Sequence, residues 1–357
     1  MTKGMLTVCT LLTMLGVIVG GVFEVATAAE IKLTYNNYFP PTHRMAKLGA
    51  EFCQEIEKRT NGRVKISYFA GGTLLKAPQV FDGVVQGIAD IGMSNLAYTR
   101  GRFPEMELCD LPFGCPSGWV STKMVNEFYK KYQPKGFEKA HMLYFHACGP
   151  NIIYTASVPV KKLEDLKGLT IRGTGRIADT VEALGATSRP IDMAEAYESL
   201  SRHVIAGVMG PMEMLKGWRT GEVAKFATNC WKVGNVYTFF VVMNKNKYNA
   251  LPSDIKKVFD EVSAEWIDRH AIGWNEIDIE GREFFESKGG KLIQLSDDEA
   301  ARWVEAVQPV LKTYTQDMVS KGFDAKTTEE RIGFAQKTVT DLTKEQAEKG
   351  VKSPYLE

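Results

Sequence analysis

The chain has 357 residues, of which 24% are charged and 44% hydrophobic, and its formal net charge at pH 7 is +1. Lysines and arginines are dispersed along it, which argues against a basic face for binding nucleic acid. The length is too great for one ordinary hydrophobic core and sufficient for two domains of typical size.

The first 29 residues have the composition of a secretory signal peptide. Lys3 gives a positive start, the apolar run MLTVCTLLTMLGVIVGGVF follows, and Ala26–Ala29 offers small residues for cleavage. The alternative is an uncleaved membrane anchor, because the run is long enough to span a bilayer. We predict cleavage near Ala29 and a periplasmic protein of about 328 residues, with no later stretch near the ~18 apolar residues of a membrane-spanning helix.

Five cysteines would remain after cleavage, and none shows the spacing of a metal site. Cys109 and Cys115 flank the segment DLPFG, so a small disulfide between them and separate buried thiols are both open. We predict neither a metal nor a cofactor. The five are Cys53, Cys109, Cys115, Cys148 and Cys230.

The first half of the chain predicts a β-α-β-α-β unit. EIKLTYNNYF reads as a strand, and THRMAKLGAEFCQEIEKRTNGR as an amphipathic helix with apolar residues at helical spacing. VKISYF is the next strand, PQVFDGVVQGIA the next helix and DIGMS a short third strand. This order is typical of a parallel sheet covered by helices.

The second half repeats the pattern. A strand at 169–172, a helix at 176–185, the strand SRPID, the helix AEAYESLSR and the strand AGVMG follow in order. Two α/β lobes in tandem indicate a two-lobed body with a cleft between the lobes.

A strand, TFFVVMNKNKY, precedes an unusually long predicted helix at 254–288. At ~1.5 Å per residue this helix would reach roughly 50 Å, enough to lie across two lobes and tie them together. The alternative is a break near Gly273 or Gly281. The remaining C-terminal residues read as helices that are polar on one face.

Several catalytic signatures are absent from the sequence. It has no Gly-x-Ser-x-Gly elbow, no phosphate-binding Gly-x-x-x-x-Gly-Lys-Ser/Thr loop and no His-Glu-x-x-His motif. The five histidines are scattered, and no nucleophile stands beside an evident base. We therefore predict that the chain is not an enzyme.

One loop points to anion binding. Gly173-x-Gly175-x-x-Ala178 follows a short strand, and Asp192 stands nineteen residues after the first glycine, which nearly satisfies the dinucleotide-binding fingerprint. However, Arg172 stands directly before the first glycine, where the guanidinium would project at the strand's carboxyl end. Such a group can make two parallel hydrogen bonds to a carboxylate or sulfonate.

The residues alone leave the role of Arg172 open. The positive end of a helix beginning near Arg176 favours an anion at the same place. The alternative is that Arg172 pairs with a surface acid such as Glu164. An exported chain would not meet a cytoplasmic NAD pool, which disfavours the nucleotide.

Longer segments carry a resemblance. VKKLEDLKGLTIRGTG, ALGATSRPIDMAEAYESL and GPMEMLKGW, together with GRVKISYFAGGTL, VVQGIADIGMS and VVMNKNKYNALPSDIKKVF, resemble the solute-binding proteins of tripartite ATP-independent periplasmic (TRAP) transporters, of the four-carbon-dicarboxylate-binding type. The match extends over essentially the whole chain after the predicted cleavage site.

The resemblance implies an α/β, periplasmic-binding-protein-like flytrap with one helix spanning both lobes. Residues 30–150 with about 238–277 would form the first lobe, and 151–237 with about 278–357 the second. It also implies no catalysis and delivery of an organic acid to the small and large membrane subunits of a sodium-driven permease.

The resemblance also implies ligand contacts. Arg172 corresponds to the arginine that binds the ligand carboxylate, and Met193 stands where an aromatic residue often lines the pocket. Asn151 stands where a second arginine is frequent. A polar contact expected after AGVMG is replaced by Gly210 or supplied by the segment that follows it, which contains Pro211, Met212 and Glu213. A carboxylate at Glu213 would repel a second acidic group and favour an amine or hydroxyl, unless it points outward.

Six further candidates come from short polar residues at strand ends and from aromatic residues. Solvation of loops and packing of the core are the competing accounts of these residues. They are Asn36, Asn37, Ser94, Asn95, Trp231 and Tyr237.

The sequence therefore predicts a binding protein that closes around a small organic acid with one main anionic head. The alternatives are a small sulfonate as ligand, a sensor that feeds a receptor, and, more remotely, a secreted NAD-dependent oxidoreductase.

Overall fold

The structure is a computed structural model that describes residues 30–356. The predicted signal peptide, residues 1–29, lies outside the described residues. The strands in chain order are β1 (Ile31–Asn37), β2 (Val64–Phe69), β3 (Ile91–Asn95), β4 (Ala140–Ala147), β5 (Ile152–Thr155), β6 (Thr170–Arg172), β7 (Thr187–Arg189), β8 (Gly207–Gly210), β9 (Phe226–Asn229), β10 (Thr238–Asn244) and β11 (Lys291–Gln294). The α-helices are α1 (Arg44–Arg59), α2 (Val80–Gln86), α3 (Gly118–Tyr132), α4 (Arg176–Ala183), α5 (Met193–Ser201), α6 (Glu213–Gly217), α7 (Lys245–Ala250), α8 (Ser253–Ser287), α9 (Asp297–Ser320) and α10 (Ala325–Glu348).

The strands form two sheets, one in each lobe. The first has the order β2-β1-β3-β10-β4 and the second β11-β9-β5-β8-β6-β7. In the first sheet β1 pairs in parallel with β2 and β3, so that Tyr35 lies opposite both Tyr68 and Ile91. In the second, β6 pairs in parallel with β7 and β8. The two-lobed α/β fold predicted from the sequence is confirmed.

The sheets are mixed, whereas the sequence predicted parallel ones. β10 runs antiparallel to β3 and β4, and β5 runs antiparallel to β8 and β9. Both exceptions are strands that the chain enters as it crosses between lobes, after β4 and after β9. A chain that enters a lobe from the cleft side runs against the strands already in that lobe.

The amphipathic patterns form the helices that cover the sheets. In α1, Met45, Leu48, Phe52 and Ile56 are all buried, as their spacing predicted. α2 is shorter than its pattern, because Gly87 adopts a left-handed conformation (φ 79°) that ends the helix.

Helix α8 runs unbroken for 35 residues and contacts both lobes. Trp266 donates its indole N–H to Leu48 O in the first lobe at 2.8 Å, and Asp278 accepts the backbone N–H of Glu213 in the second, also at 2.8 Å. The continuous long helix predicted from the sequence is present, and the alternative of a break near Gly273 or Gly281 does not hold. A Cβ at Gly281 would lie 2.1 Å from Met212 O, so this glycine lets the helix press against the second lobe.

The C-terminal helices touch both lobes. Tyr314 of α9 donates to Pro104 O at 2.8 Å, while Asp317 on the same helix pairs with Arg176 at 2.7 Å. Gln346 of α10 accepts from Ser117 at the start of α3. Residues that the sequence assigned to the second lobe therefore also pack on the first.

All five cysteines of the described chain are buried thiols without a disulfide. The disulfide between Cys109 and Cys115 is therefore not formed, and the alternative of separate buried thiols holds. Hydropathy along residues 30–356 yields no helix that could serve as a transmembrane segment.

Candidate functional site

A small cavity lies between the two lobes. Both lobes and both crossover segments supply its walls, and six of the thirteen lining residues are aromatic. The lining residues are Tyr38, Phe39, Asn95, Tyr98, Cys148, Arg172, Met193, Pro211, Glu213, Met214, Trp218, Tyr237 and Phe239.

Arg172 ends β6 and points into this cavity, and only 2% of its surface is exposed. Its Nε donates to Ile191 O at 3.1 Å, and its Nη1 donates to the Tyr237 hydroxyl at 3.1 Å. These neutral acceptors orient the guanidinium but leave its charge uncompensated. Among the described residues no carboxylate pairs with Arg172, and Glu164 pairs with Arg302 instead.

The surroundings keep Arg172 charged. Burial lowers the pKa of its guanidinium, but the nearby tyrosines, Tyr237 first, outweigh this effect, so that the pKa lies above its usual value. Burial also raises the pKa of Tyr38 and of Tyr98, and both remain neutral phenols at physiological pH. A buried cation without an anionic partner is costly, and an anionic ligand would compensate it.

The glycine turn after Arg172 faces the opposite lobe. Gly175 has φ 58°, and a Cβ on it would lie 2.7 Å from the Cα of Ala97. The carbonyl of Gly175 accepts from Arg100 at 3.2 Å, and Arg100 also pairs with Asp179 at 2.8 Å. The turn thus brings the lobes together, and its close approach to Ala97 leaves no room for a pyrophosphate at this point.

A second charged group, Glu213 at the start of α6, borders the same cavity. Its Oε2 lies 2.7 Å from Nε2 of His43, and the two side chains are only 3% and 1% exposed. A Cβ on Gly217 would lie 2.6 Å from His43 Nε2, so the glycine leaves room for the pair. The contact joins the first lobe to the second, and Glu213 does not point outward.

The hydrogen bonds of His43 determine which member of the His43–Glu213 pair donates and which accepts. Nδ1 of His43 accepts the backbone N–H of Met45 at 3.2 Å, where His43 caps α1. The imidazole is then protonated at Nε2, which donates to Glu213. The backbone N–H of Glu213 donates to Asp278. Glu213 is therefore held in place on both sides.

Aromatic rings form the remaining walls. Tyr38 stacks on Phe39 with ring centroids 4.6 Å apart and on Trp218 at 6.3 Å. Phe39 also lies 5.6 Å from Phe239. The Tyr98 hydroxyl accepts the backbone N–H of Met193 at 3.1 Å, a further contact between the lobes. Such walls suit a planar, apolar ligand body.

Half of the twelve residues that the sequence proposed as ligand contacts line the cavity. In this group Asn95 donates to the Tyr38 hydroxyl at 3.1 Å, and Tyr237 contacts Arg172. The six are Asn95, Arg172, Met193, Pro211, Glu213 and Tyr237.

Three proposed residues of the first lobe bond to backbone instead. Asn36 exchanges two hydrogen bonds with Leu75, Asn37 accepts from the backbone N–H of Phe39, and Ser94 donates to Ala77 O. These side chains hold the loops behind the cavity wall.

The other three also lie away from the cavity lining. Asn151 is buried beside Asn235, whose carbonyl accepts its backbone N–H at 2.9 Å. A Cβ on Gly210 would lie 2.2 Å from Met214 Sδ, so the glycine admits that side chain. Trp231 lines a different cavity, with Trp303 and Tyr355.

The sequence reasoning missed most of the aromatic wall and His43. Tyr38 and Phe39 directly follow the strand that was predicted to end at the site, which was the available signal. Trp218 lies within the quoted segment GPMEMLKGW, which the resemblance singled out. Nothing in the spacing of Tyr98 or Phe239 distinguishes them from core residues.

The protein has two lobes, a small cavity between them and one long helix that contacts both. These features define the class of two-lobed solute-binding proteins. The chain belongs to the bacterial extracellular solute-binding protein family 7, whose model matches residues 35–317. The predicted resemblance to TRAP solute-binding proteins is confirmed, and the chain is a TRAP-type solute-binding protein.

Solved structures and a curated relative agree with this assignment. A TRAP periplasmic solute-binding protein from Desulfovibrio salexigens is 32% identical, with a TM-score of 0.75 and coverage of 86% of this chain and 96% of that one. One from Bordetella bronchiseptica with bound (R)- and (S)-mandelate is 26% identical, with a TM-score of 0.79 and coverage of 87% and 99%. The C4-dicarboxylate-binding periplasmic protein DctP of Rhodobacter capsulatus is 24% identical over 80% of this chain and 86% of its own.

Proposed function

We propose that this protein captures a small monocarboxylate with an apolar, preferably aromatic, body in the cavity between its lobes. Arg172 binds the carboxylate, and the aromatic side chains of both lobes enclose the remainder. The observation that carries the proposal is a buried arginine without an acidic partner that faces an aromatic cavity. Asn95, Met193, Pro211 and Tyr237 complete the contacts.

The charges of the wall favour one acidic group over two. Of the described lining residues, Arg172 is the single cation and Glu213 the single acid. A second ligand carboxylate would meet Glu213 and be repelled. The mandelate-bound relative, a monocarboxylate complex at 26% identity, supports this choice over a dicarboxylate.

Export and delivery complete the proposed function. Residues 1–29 direct the chain to the periplasm and are removed near Ala29. The closed protein then docks on the small and large permease subunits, which carry the ligand inward on a sodium gradient. The protein acts by binding and performs no catalysis.

A thermal-shift panel tests the ligand class. Benzoate, (R)-mandelate, benzenesulfonate, succinate and NAD are compared at equal concentration. A ligand at 100 times its Kd adds about 2.7 kcal/mol to the free energy of unfolding, so a strong ligand raises the melting temperature visibly. We expect the aromatic monocarboxylates to give the largest shifts and to lose them in Arg172→Ala. A largest shift with succinate or NAD would contradict the proposal.

A further inference from the structure

Two opposite charges face the same cavity without neutralising each other. Arg172 and Glu213 both line it, and each makes its hydrogen bonds to other groups. Buried opposite charges that a protein keeps apart create a strong local field. A ligand in the cavity would therefore meet both a guanidinium and a carboxyl group.

Glu213 retains an unused acceptor. Its Oε2 accepts from His43, but within the described part of the chain its Oε1 has no hydrogen-bond partner. Glu213 lines the cavity beside Arg172, and its side chain is 3% exposed. A carboxylate oxygen that keeps a free acceptor position at a cavity wall can accept a donor supplied by the ligand.

His43 makes the direction of this preference definite. Because its Nδ1 accepts from Met45, its Nε2 donates to Glu213 and cannot also supply a proton to the ligand. The hydrogen bond from His43 in the first lobe holds the Glu213 carboxylate of the second lobe through Oε2 and leaves Oε1 available to accept another donor. His43 is a positioning residue, and Glu213 is the group that meets the ligand.

From this geometry we infer that Glu213 selects acids that carry, besides the carboxylate, a hydrogen-bond donor such as a hydroxyl or an ammonium group. The inference rests on the proposed function, in which Arg172 holds the carboxylate and aromatic rings hold the body between. A carboxylate accepts but does not donate, so Glu213 rewards a donor and rejects a second acid.

Calorimetry on one ring series tests the selection. Benzoate, 3-hydroxybenzoate, 3-(aminomethyl)benzoate and isophthalate present hydrogen, hydroxyl, ammonium and carboxylate at the same position. We expect the hydroxyl or the ammonium compound to bind about tenfold or more tightly than benzoate, and isophthalate to bind about tenfold or more weakly. The two donor compounds decide which donor the site prefers.

Glu213→Gln provides the variant that separates selection from folding. The amide keeps the shape but removes the charge, so the preference for donors over benzoate should fall to within about threefold. Isophthalate should gain affinity, which a folding defect cannot produce. Glu280→Gln is the matched control: it neutralises an exposed acid that pairs with Lys216 outside the cavity lining, and the order of the four ligands should persist.

The outcomes are distinguishable from failure of the proposed function. If the ring acids bind through Arg172 but benzoate and 3-hydroxybenzoate bind alike, or if Glu213→Gln keeps the original order, the selection by Glu213 is overturned and the proposed function stands. If no ring acid binds, or if binding survives Arg172→Ala, both are overturned.

Discussion

The two lobes furnish the cavity with different chemistry. The first lobe contributes uncharged side chains, chiefly Tyr38, Phe39, Tyr98 and Phe239, whereas the second contributes both charged groups. Within the second lobe Ile191 O and the Tyr237 hydroxyl accept from Arg172, and Asp278 accepts the backbone N–H of Glu213, while His43 of the first lobe binds the Glu213 carboxylate. The groups that recognise charge therefore lie on the second lobe, whereas the first lobe mainly encloses the ligand.

This division suits a binding protein that closes. An acid can meet Arg172 on the second lobe while the cleft is open. The aromatic face of the first lobe then covers it and excludes water, which strengthens the ion pair. The contacts of Arg100 with Asp179 and of Tyr98 with Met193 join the lobes once the cleft is closed.

Removing the guanidinium of Arg172 tests the contribution of the charged groups on the second lobe, and we expect the largest loss of ligand affinity from this change. Arg172→Ala should weaken binding of (R)-mandelate or benzoate at least 100-fold, about 2.7 kcal/mol, by calorimetry. Arg172→Lys should also bind poorly, because the two-pronged geometry is lost. Arg302→Ala, an exposed arginine paired with Glu164, is the control and should bind normally. A loss of less than threefold in Arg172→Ala would refute the anchor.

Blocking closure separates the two lobes' contributions. Gly175→Ala places a Cβ where Ala97 of the other lobe approaches to 2.7 Å, so the closed form should be strained and ligand affinity should fall about 30-fold, ~2 kcal/mol. Gly185→Ala is a matched control. Gly185 also has positive φ, but nothing lies within 4 Å of its added Cβ. Equal losses of affinity in the two variants would show that backbone strain, rather than the meeting of the lobes, is responsible.

Trimming the aromatic wall should have a smaller effect. Trp218→Ala removes a ring that stacks near Tyr38 at the cavity, and we expect about tenfold weaker binding of an aromatic acid, ~1.4 kcal/mol. Trp231→Ala removes a tryptophan that lines the other cavity and should leave calorimetric affinity unchanged. If Trp231→Ala weakened binding as much as Trp218→Ala did, the placement of the site would be wrong.

The last prediction concerns the stability of the first lobe and not the affinity for a ligand. Burial lowers the pKa of His270 from 6.5 to about 4, and His146, stacked on it at 4.2 Å, also has a lowered pKa because of burial. The unfolded chain therefore binds more protons between pH 6.5 and 4. The stability contributed by neutral His270 is complete above pH 6.5 and is lost as the pH falls towards 4.

Denaturation as a function of pH measures this effect. His270→Gln should make the free energy of unfolding less dependent on pH between 4 and 6.5, by up to about 1.4 kcal/mol per pH unit for one proton. His141→Gln, at a half-buried histidine on the same strand as His146, should change the slope less. An unchanged slope in His270→Gln would show that this histidine is not the titrating group.

The local patterns predicted much of the fold. The spacing of Met45, Leu48, Phe52 and Ile56 gave α1, and the apolar stripe of 253–287 gave the long helix. The antiparallel direction of β5 and β10 could not be predicted from the sequence, because the partner of a strand depends on where the chain crosses between lobes. The sequence left a break at Gly273 or Gly281 open as an alternative, because only tertiary packing shows that Gly281 lies against Met212.

The site was predictable where it depends on a motif and not where it depends on packing. Arg172 and Glu213 follow strand ends at places that the family pattern marks. Asn36, Asn37 and Ser94 follow the same logic but bond to nearby backbone, since loops need such partners too. The contacts of Trp218 with Tyr38 and Phe39 arise only when the lobes meet.

A crystal structure of the protein with the acid that gives the largest thermal shift tests the central claim most directly. We expect the ligand carboxylate to lie within about 2.7–3.2 Å of the Arg172 guanidinium and the aromatic body of the ligand to lie against Trp218 and Tyr38. A ligand bound elsewhere, with Arg172 turned to solvent, would contradict it.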